Sequence, residues 1–500
     1  MKSRVYCLIS LLLLSVLAVS AYARDWREYK STNFTVYSDV SPQKAENLLR
    51  ELEKFRRASL MVTGMEDHPE NSRLRVYHFN KSREFENFSG KRSTAGFYIN
   101  TIDGPLIFSQ ENKRGIVNGQ AIMFHEYVHH LMRKRGSMRY PKWYSEGFAE
   151  LLASATIDKD SITIGNFPEW RAYDLEEGPL KAREILQPDY SRKGWKHSSQ
   201  YYASAWLLLH YLFFSDDARE NAYHEKTKNY LTDINNGGDP LDLFSQHYDI
   251  RVEDLDIALT RYLKERRLSG FKVNLTKNAF KIEKRKLNHN EKSLLLAERA
   301  VDLERYDQAL SYLNKVKKDA AKLPGVIALK ANLLMHNQQE AAAQALLQEL
   351  SEISNLNHTA ATNLSVYHLY SLQNTLESRQ WDEGNYTKTL HYADMAITLN
   401  PASLPAYQYK WMAQQYKGES VAALKTMMAA YQQNPNSIEI NSAIGFHLAK
   451  LKKPQLAKPF LERTLAWSHD YKVRSRAKKL LDWVASETSA DNKTNSGQVS

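Results

Sequence analysis

Two histidines four residues apart, His125 and His129, flank Glu126-Tyr127-Val128. On a helix, residues i and i+4 lie one turn apart on one face, so both imidazoles can point at a single metal ion. Glu126, next to the first histidine, then stands where a carboxylate can act as a general base toward water. Zinc suits this HExxH spacing, and a zinc that does chemistry takes three protein ligands and keeps a fourth position open. Glu146 is the best candidate for the third ligand. It follows His129 after 16 intervening residues, room for a helix end, a loop and the start of a second helix.

Glu146 belongs to Trp143-Tyr144-Ser145-Glu146-Gly147-Phe148-Ala149-Glu150. HExxH followed by W-x-x-E-G-x-A resembles the gluzincin metallopeptidases, and WYSEGFAE is similar to the phrase in zinc aminopeptidases and in the smaller peptidase MA-like domains of bacterial envelope proteins. The spacing is slightly shorter than in the aminopeptidases, and the resemblance covers roughly residues 26 to 270. It implies an α+β gluzincin-like metallopeptidase domain holding one zinc per chain through His125, His129 and Glu146. Glu126 would take a proton from water and pass it to the leaving amine. Glu150, one turn beyond Glu146, would accept the second N–H of a ligating histidine and fix its ring. The stretch from Gln200 to Leu212 is similar to the aminopeptidase segment Y-x-x-G-x-x-x-L-x-x-L. Tyr202 matches its oxyanion-stabilising tyrosine, with Ala205 where the family often has glycine. Tyr201 is a possible substitute, and His210 is expected to face the core. No motif resembles the Gly-Ala-Met-Glu-Asn signature of exopeptidases, so endopeptidase is the default expectation.

These residues need elements to hold them. A helix from about Val117 to Arg135 carries the HExxH, with Ala121, Phe124, Val128, Leu131 and Met132 as its apolar face. Arg133, Lys134 and Arg135 suit the negative end of its dipole, and Gly136 suits the C′ position. Before it, Asn33 to Ser38 reads as a strand, Ser41-Pro42 as a helix start with a stripe from Ala45 to Phe55, and Leu74 to Phe79 as a second strand. Gly96 to Ile99 and Pro105 to Phe108 flank the turn signal Asp103-Gly104 and are expected to pair. In the family that this order resembles, an edge strand beside the zinc takes substrate backbone by strand addition, and Gly96 to Ile99 is the candidate. Asn235 to Pro240 reads as a loop, and Tyr248 to Arg267 as the closing helix of the domain.

The composition, 43% hydrophobic and 25% charged over 500 residues, is that of a globular chain with two or three domains. Lys2 and Arg4, an apolar run from Val5 to Val19, and Ala21-Tyr22-Ala23 read as a signal peptide over residues 1–23. An uncleaved anchor is the alternative, and no second transmembrane segment is expected. Cys7 is the single cysteine and lies inside the signal, so neither disulfides nor cysteine ligands are expected in the mature chain. An exported chain without cysteine suits a Gram-negative periplasm. Loss of Lys2 and Arg4 takes the net charge from +11 to +9. That charge could favour acidic partners or anionic surfaces, but export and the lack of a basic-aromatic motif argue against nucleic acid.

From about Leu287 the pattern becomes strand-free, rich in alanine and leucine. A 34-residue period places Ala309 over Ala343, Leu313 over Leu347 and Pro401 over Pro435. This period and the terminal Asn-Pro resemble tetratricopeptide repeats. Residues 351 to 385 break it. The expectation is an all-α tetratricopeptide-like solenoid of four to five helix pairs whose inner face takes a protein or peptide partner. The chain thus divides into a metallopeptidase-like domain at 24–275, repeats at 284–486 and a disordered tail at 487–500. The reading is an exported zinc peptidase with a partner-binding repeat domain. The alternative is an envelope adaptor acting through its repeats, with the gluzincin-like domain structural.

Overall fold

The structure is a computed structural model describing residues 25–496, apart from 67–72, 93, 112–118, 135–139, 189–194, 237, 266–267, 269, 276–279, 352, 354 and 469. The expected signal peptide with Cys7, and Val117, Arg135 and Gly136 of the zinc helix, lie outside the described residues, as do the side chains of Arg133 and Lys134. No described helix is long and apolar enough to cross a membrane.

The strands are β1 (Arg27–Lys30), β2 (Phe34–Ser38), β3 (Leu74–Phe79), β4 (Gly96–Thr101), β5 (Gly104–Gln110), β6 (Thr156–Ile157), β7 (Ser161–Ile164), β8 (Phe271–Asn274) and β9 (Glu283–Lys286). Six form a mixed sheet in the order β4-β5-β3-β2-β1-β9, and β6-β7-β8 form a small second sheet. β2, β3 and β5 run parallel, with Val36 beside Val76 and Tyr77 beside Phe108. Parallel neighbours need a crossover, and α1 (Pro42–Thr63) supplies the one between β2 and β3. Pro42 opens α1 as expected. Ser41 takes the cap position, but its hydroxyl makes no capping bond; its carbonyl accepts the Ala45 N–H instead.

The helices of this half continue with α2 (Ser82–Ser89), α3 (Gly119–Lys134), α4 (Lys142–Ala153), α5 (Ala182–Leu186), α6 (Trp195–Phe214), α7 (Asp216–Glu220), α8 (Tyr223–Asn235), α9 (Pro240–Tyr248) and α10 (Val252–Leu263). The closing helix differs from the expectation. Tyr248 ends α9, Asp249 at φ 59° turns the chain out of helix, and α10 begins only at Val252. A residue in the left-handed region cannot continue a right-handed helix.

Side chains alternate across the sheet, so each face has its own partner. Val36, Val76 and Ile107 join α1 and α3 in the larger core, where Phe55 stacks on Phe124 at 3.9 Å between centroids. Tyr77, Phe79, Leu106 and Phe108 belong to a second core shared with the helices that follow β9. Burial on both faces is what parallel strands require.

Those helices are α11 (His289–Asp302), α12 (Tyr306–Leu313), α13 (Lys318–Ala321), α14 (Pro324–His336), α15 (Glu340–Ser351), α16 (His358–Glu377), α17 (Glu383–Leu399), α18 (Leu404–Lys417), α19 (Ser420–Gln433), α20 (Ile438–Lys450), α21 (Pro454–Trp467) and α22 (Tyr471–Ser496). They form an all-α array of helical hairpins: α11/α12, α14/α15, α16/α17, α18/α19 and α20/α21, closed by α22. Ala309 and Ala343, 34 apart, are both fully buried, as are Ala396 and Ala430. A methyl side chain at these positions lets paired helices approach closely. The break between 351 and 385 has a plain cause: α16 is 20 residues long, longer than the other first helices of the pairs.

Two boundaries differ from the sequence reading. β9, at 283–286, pairs with β1, so the sheet draws on residues beyond 275. The tail expected from 487 continues α22 to Ser496, where neither proline nor glycine interrupts the run from Tyr471.

Candidate metal centre

The residues singled out in the sequence come together where α3, α4 and α6 meet. α3 carries His125, Glu126 and His129; α4 carries Glu146 and Glu150; α6 carries Tyr202. Close approach of α4 and α6 depends on Gly147. A Cβ there would overlap the carbonyl oxygen of Ala205, so only glycine lets the α4 carboxylates and Tyr202 share one cleft.

Among the described residues, His125, His129 and Glu146 form the one cluster with metal-ligand spacing. The two Nε2 atoms are 3.1 Å apart, and each lies 3.3 Å from Glu146 Oε2. Tetrahedral coordination at about 2.0–2.1 Å requires donor separations of about 3.3 Å. The donor set therefore fits zinc in both chemistry and spacing. His129 and Glu146 are buried and His125 nearly so.

A second layer fixes these donors. His125 Nδ1 lies 3.3 Å from Glu150 Oε1, and His129 Nδ1 lies 3.2 Å from the Ser145 hydroxyl. Glu150 is itself held: Arg171 donates from Nη2 to Oε1 at 2.6 Å and from Nε to Oε2 at 3.2 Å, and Trp170 Nε1 donates to Oε2 at 3.1 Å. Arg171 also donates to Ser199 Oγ at 2.9 Å. Sequence reasoning found Glu150 but missed Trp170, Arg171 and Ser145. Trp170 and Arg171 lie on a short 3-10 turn, Glu169–Arg171, which leaves no periodic signal. Ser145 sits inside the motif and had only its adjacency to offer.

The electrostatics follow from crowding charge in a buried place. Burial pushes the His125 imidazole down, but Glu146 and Glu150 outweigh it and lift it to about 10. Burial raises Glu150, while His125 and Arg171 bring it down to about 2. The carboxylate of Glu146, followed by burial, pushes the Tyr202 phenol far above its ordinary value, so the phenol stays protonated at neutral pH. Its ring centroid is 6.0 Å from that of His125, and the Arg171 guanidinium lies 5.4 Å from its centre. Glu126 is partly buried on α3, and its charge reaches both His125 and Tyr202.

Tyr201, the possible substitute for Tyr202, points elsewhere. It is buried and donates to the Ile185 carbonyl at 3.0 Å. His210 faces the core as expected, between the Tyr262 hydroxyl at 2.7 Å and the Gly165 carbonyl at 2.8 Å. β4, longer than Gly96 to Ile99 by two residues, is an edge strand and packs beside α3.

No family model and no curated protein matches the chain. Among solved structures, the chain is similar to TTC0263, a thermophilic TPR protein in Thermus thermophilus, at 18% identity and TM-score 0.33, covering 38% of this chain and 98% of that one. It is also similar to YrrB, a TPR protein with an unusual peptide-binding site, at 16% identity and TM-score 0.27, covering 38% of this chain and 92% of that one. A third is MamA AMB-1, at 18% identity and TM-score 0.26, covering 35% and 87%. The C-terminal half of this chain is a tetratricopeptide-like array, with its own 34-residue period and helical hairpins.

Proposed function

We propose that this chain is a zinc-dependent peptidase of the gluzincin type with a partner-binding repeat array, acting as an endopeptidase. The single observation that carries the reading is the convergence of His125 Nε2, His129 Nε2 and Glu146 Oε2 at 3.1–3.3 Å from one another. His125, His129 and Glu146 would hold one zinc per chain, which would supply carbonyl polarisation and a more acidic water. Glu126 takes the proton of the attacking water and passes it to the leaving amine. Tyr202, kept protonated by Glu146 and burial, donates a hydrogen bond to the oxyanion. Glu150, clamped by Arg171, holds the His125 ring in place. β4, the edge strand of the sheet, is where an extended peptide would add. Export to a periplasm, with a protein or peptide substrate and no role for nucleic acid, is part of the same proposal.

A second reading makes the repeats the function and the metal domain structural. An aromatic row favours it: Tyr306 stacks on His336 at 4.2 Å, and His336 meets Tyr370 edge-on at 4.2 Å, across successive hairpins. A partner peptide could lie along such a row.

The test is metal stoichiometry of the purified chain beside His129→Ala and Glu146→Ala. One zinc per chain, weakened in both variants, is the expected result. No zinc after reconstitution would sink the peptidase reading and leave the adaptor. Zinc lost in His129→Ala but kept in Glu146→Ala would remove the gluzincin assignment.

A further inference from the structure

The turn between β4 and β5 is a hairpin tip, and tips are ordinarily the most exposed part of a sheet. This one is buried by a helix some three hundred residues away in sequence. Ile102 is 7% exposed and packs with Leu404, Tyr407 and Trp411 of α18. The next residue, Asp103, accepts the backbone N–H of Leu404 at the start of α18. The Ser403 side chain makes no capping bond there, and the Leu404 N–H is shared with the Ala402 carbonyl at 3.0 Å. Arg75 Nη2 donates to the Asp103 carbonyl at 3.4 Å; burial pushes the Asp103 carboxyl up, and the Arg75 and Arg299 guanidiniums offset part of that. Arg299 is fixed in turn by Asp302 at 2.5 Å and the Tyr77 hydroxyl at 3.1 Å. Burial first, and then the nearby Tyr370, Asp103, Asp302 and Tyr306, push the Tyr409 phenol of α18 far up, so the tip lies near residues of α11, α12, α16 and α18. The repeat array thus holds a short segment of apolar residue followed by carboxylate.

We infer that the β4–β5 tip is an internal ligand of the repeat array, and that a partner segment presenting an apolar residue followed by a carboxylate competes for its seat and frees the β4 edge. The seat is apolar for the first residue and offers a helix N-terminus with two nearby guanidiniums for the second. Ile102 leaves and returns with the strand it terminates, so filling the seat from outside unclamps the far end of β4. The consequence for substrate rests on β4 being the substrate edge, as proposed above; the competition itself does not.

Amide hydrogen exchange of residues 96–101 in the full chain reads the release, and a cyclised peptide of the chain's own residues 95–110 is the competitor. Excess peptide is expected to raise exchange in β4 of the wild-type chain by about tenfold, while the same peptide with Asp103→Asn does not. In the chain carrying Ile102→Ser and Asp103→Asn, β4 exchanges fast without peptide. The wild-type peptide then binds about tenfold more tightly than to the wild-type chain, the gain expected when a seat open about one time in ten becomes fully open. Unchanged β4 exchange in both arms, or equal peptide affinity for both chains, overturns the proposal. Protection of α6 amides monitors the fold of the variant; if it is lost, the peptide arm on the wild-type chain decides. Neither readout needs metal or hydrolysis, so a failed zinc titration and a failed competition are distinct results.

Discussion

Arg171 grips Glu150 through two parallel contacts, Nη2 to Oε1 at 2.6 Å and Nε to Oε2 at 3.2 Å, while the same Oε1 lies 3.3 Å from Nδ1 of His125. A guanidinium thus acts on the candidate metal centre through a carboxylate and an imidazole, without touching the donors. Such outer partners fix the ring that coordinates, and their loss costs about 10–100-fold in metal affinity. Arg171→Met is expected to weaken zinc binding by that range in a competition titration with a chelator. Arg171→Lys should recover only part of it, because an ammonium cannot make the paired contacts of a planar fork. Full affinity in Arg171→Met would show that Glu150 needs no clamp.

Glu126 and Tyr202 are separable from the donors. Glu126→Gln is expected to keep one zinc per chain and to lose hydrolysis by about 10²–10⁴-fold, the usual worth of a placed general base. Tyr202→Phe removes only the hydroxyl. It should lower kcat by about 10²–10³-fold with KM little changed, the pattern of a donor used in the transition state. A peptide trapped by Glu126→Gln supplies the substrate for both assays. Equal hydrolysis by Glu126→Gln and the parent would move the assignment to the adaptor reading.

The candidate donors form a cluster that was legible in sequence because it obeys short-range rules. His125 and His129 are one helical turn apart, and Glu146 and Glu150 another, so a helix assignment at each place put every side chain on a face. Strand β2 was legible from alternation, β4 and β5 from the turn signal Asp103-Gly104 between them, and the repeats from alanines spaced by 34. What stayed hidden depends on contacts between distant segments. β1 and β9 are four residues each, and β9, Glu-Lys-Arg-Lys, is exposed along its whole length. Such a strand has no apolar pattern and is held by its ladder to β1 and by ion pairs such as Arg285 with Glu28 at 2.6 Å. Trp170 and Arg171 likewise sit on a turn whose purpose is visible only once Glu150 is in place. The break at Asp249 was missed because a single left-handed residue interrupts an otherwise helical pattern.

Gly147→Ala tests the packing that brings α4 and α6 together. The added methyl meets the Ala205 backbone, which cannot rotate away as a side chain would. Overpacking of this kind costs about 1–3 kcal/mol. At about 2–4 °C per kcal/mol for a unit of 150–250 residues, a melting temperature lower by several degrees is expected. Zinc affinity should fall with it, since Glu146 and Glu150 flank the glycine. Unchanged melting with unchanged zinc affinity would show that α4 shifts without consequence.

Glu111, at the end of β5, is paired with His78 of β3 and with Lys44 of α1. The bond to His78 is the largest influence and burial opposes it; with Lys44 added, the carboxyl comes down to about 2. An unfolded glutamate titrates near about 4.3. The folded value is the lower one, so the stabilisation is complete above about 4.3 and is lost as pH falls toward about 2. Glu111→Gln is therefore expected to be less stable than the parent at neutral pH, with the two urea midpoints converging on acidification through that window. A gap that stays constant down to pH of about 2 would assign the effect to packing and not to charge.

The last prediction concerns the repeats as part of the core. Tyr77, Phe79, Leu106 and Phe108 are almost fully buried, and Leu296, Ala300, Ala309, Leu313 and Leu329 of the first repeats lie in the same cluster. Cutting the chain at 275 removes β9 from the edge of the sheet and uncovers that aromatic face. Contiguous exposed apolar patches of this kind drive association, and an opened sheet edge adds strand pairing to it. A fragment of residues 24–275 is expected to aggregate or to unfold well below the parent temperature. A fragment extended to residue 336, which restores β9, α11, α12 and α14, should regain solubility and cooperative melting. Size-exclusion chromatography and thermal unfolding of the two fragments decide it. A soluble, cooperatively melting 24–275 fragment would show that the aromatic face of the sheet does not need the repeats to cover it.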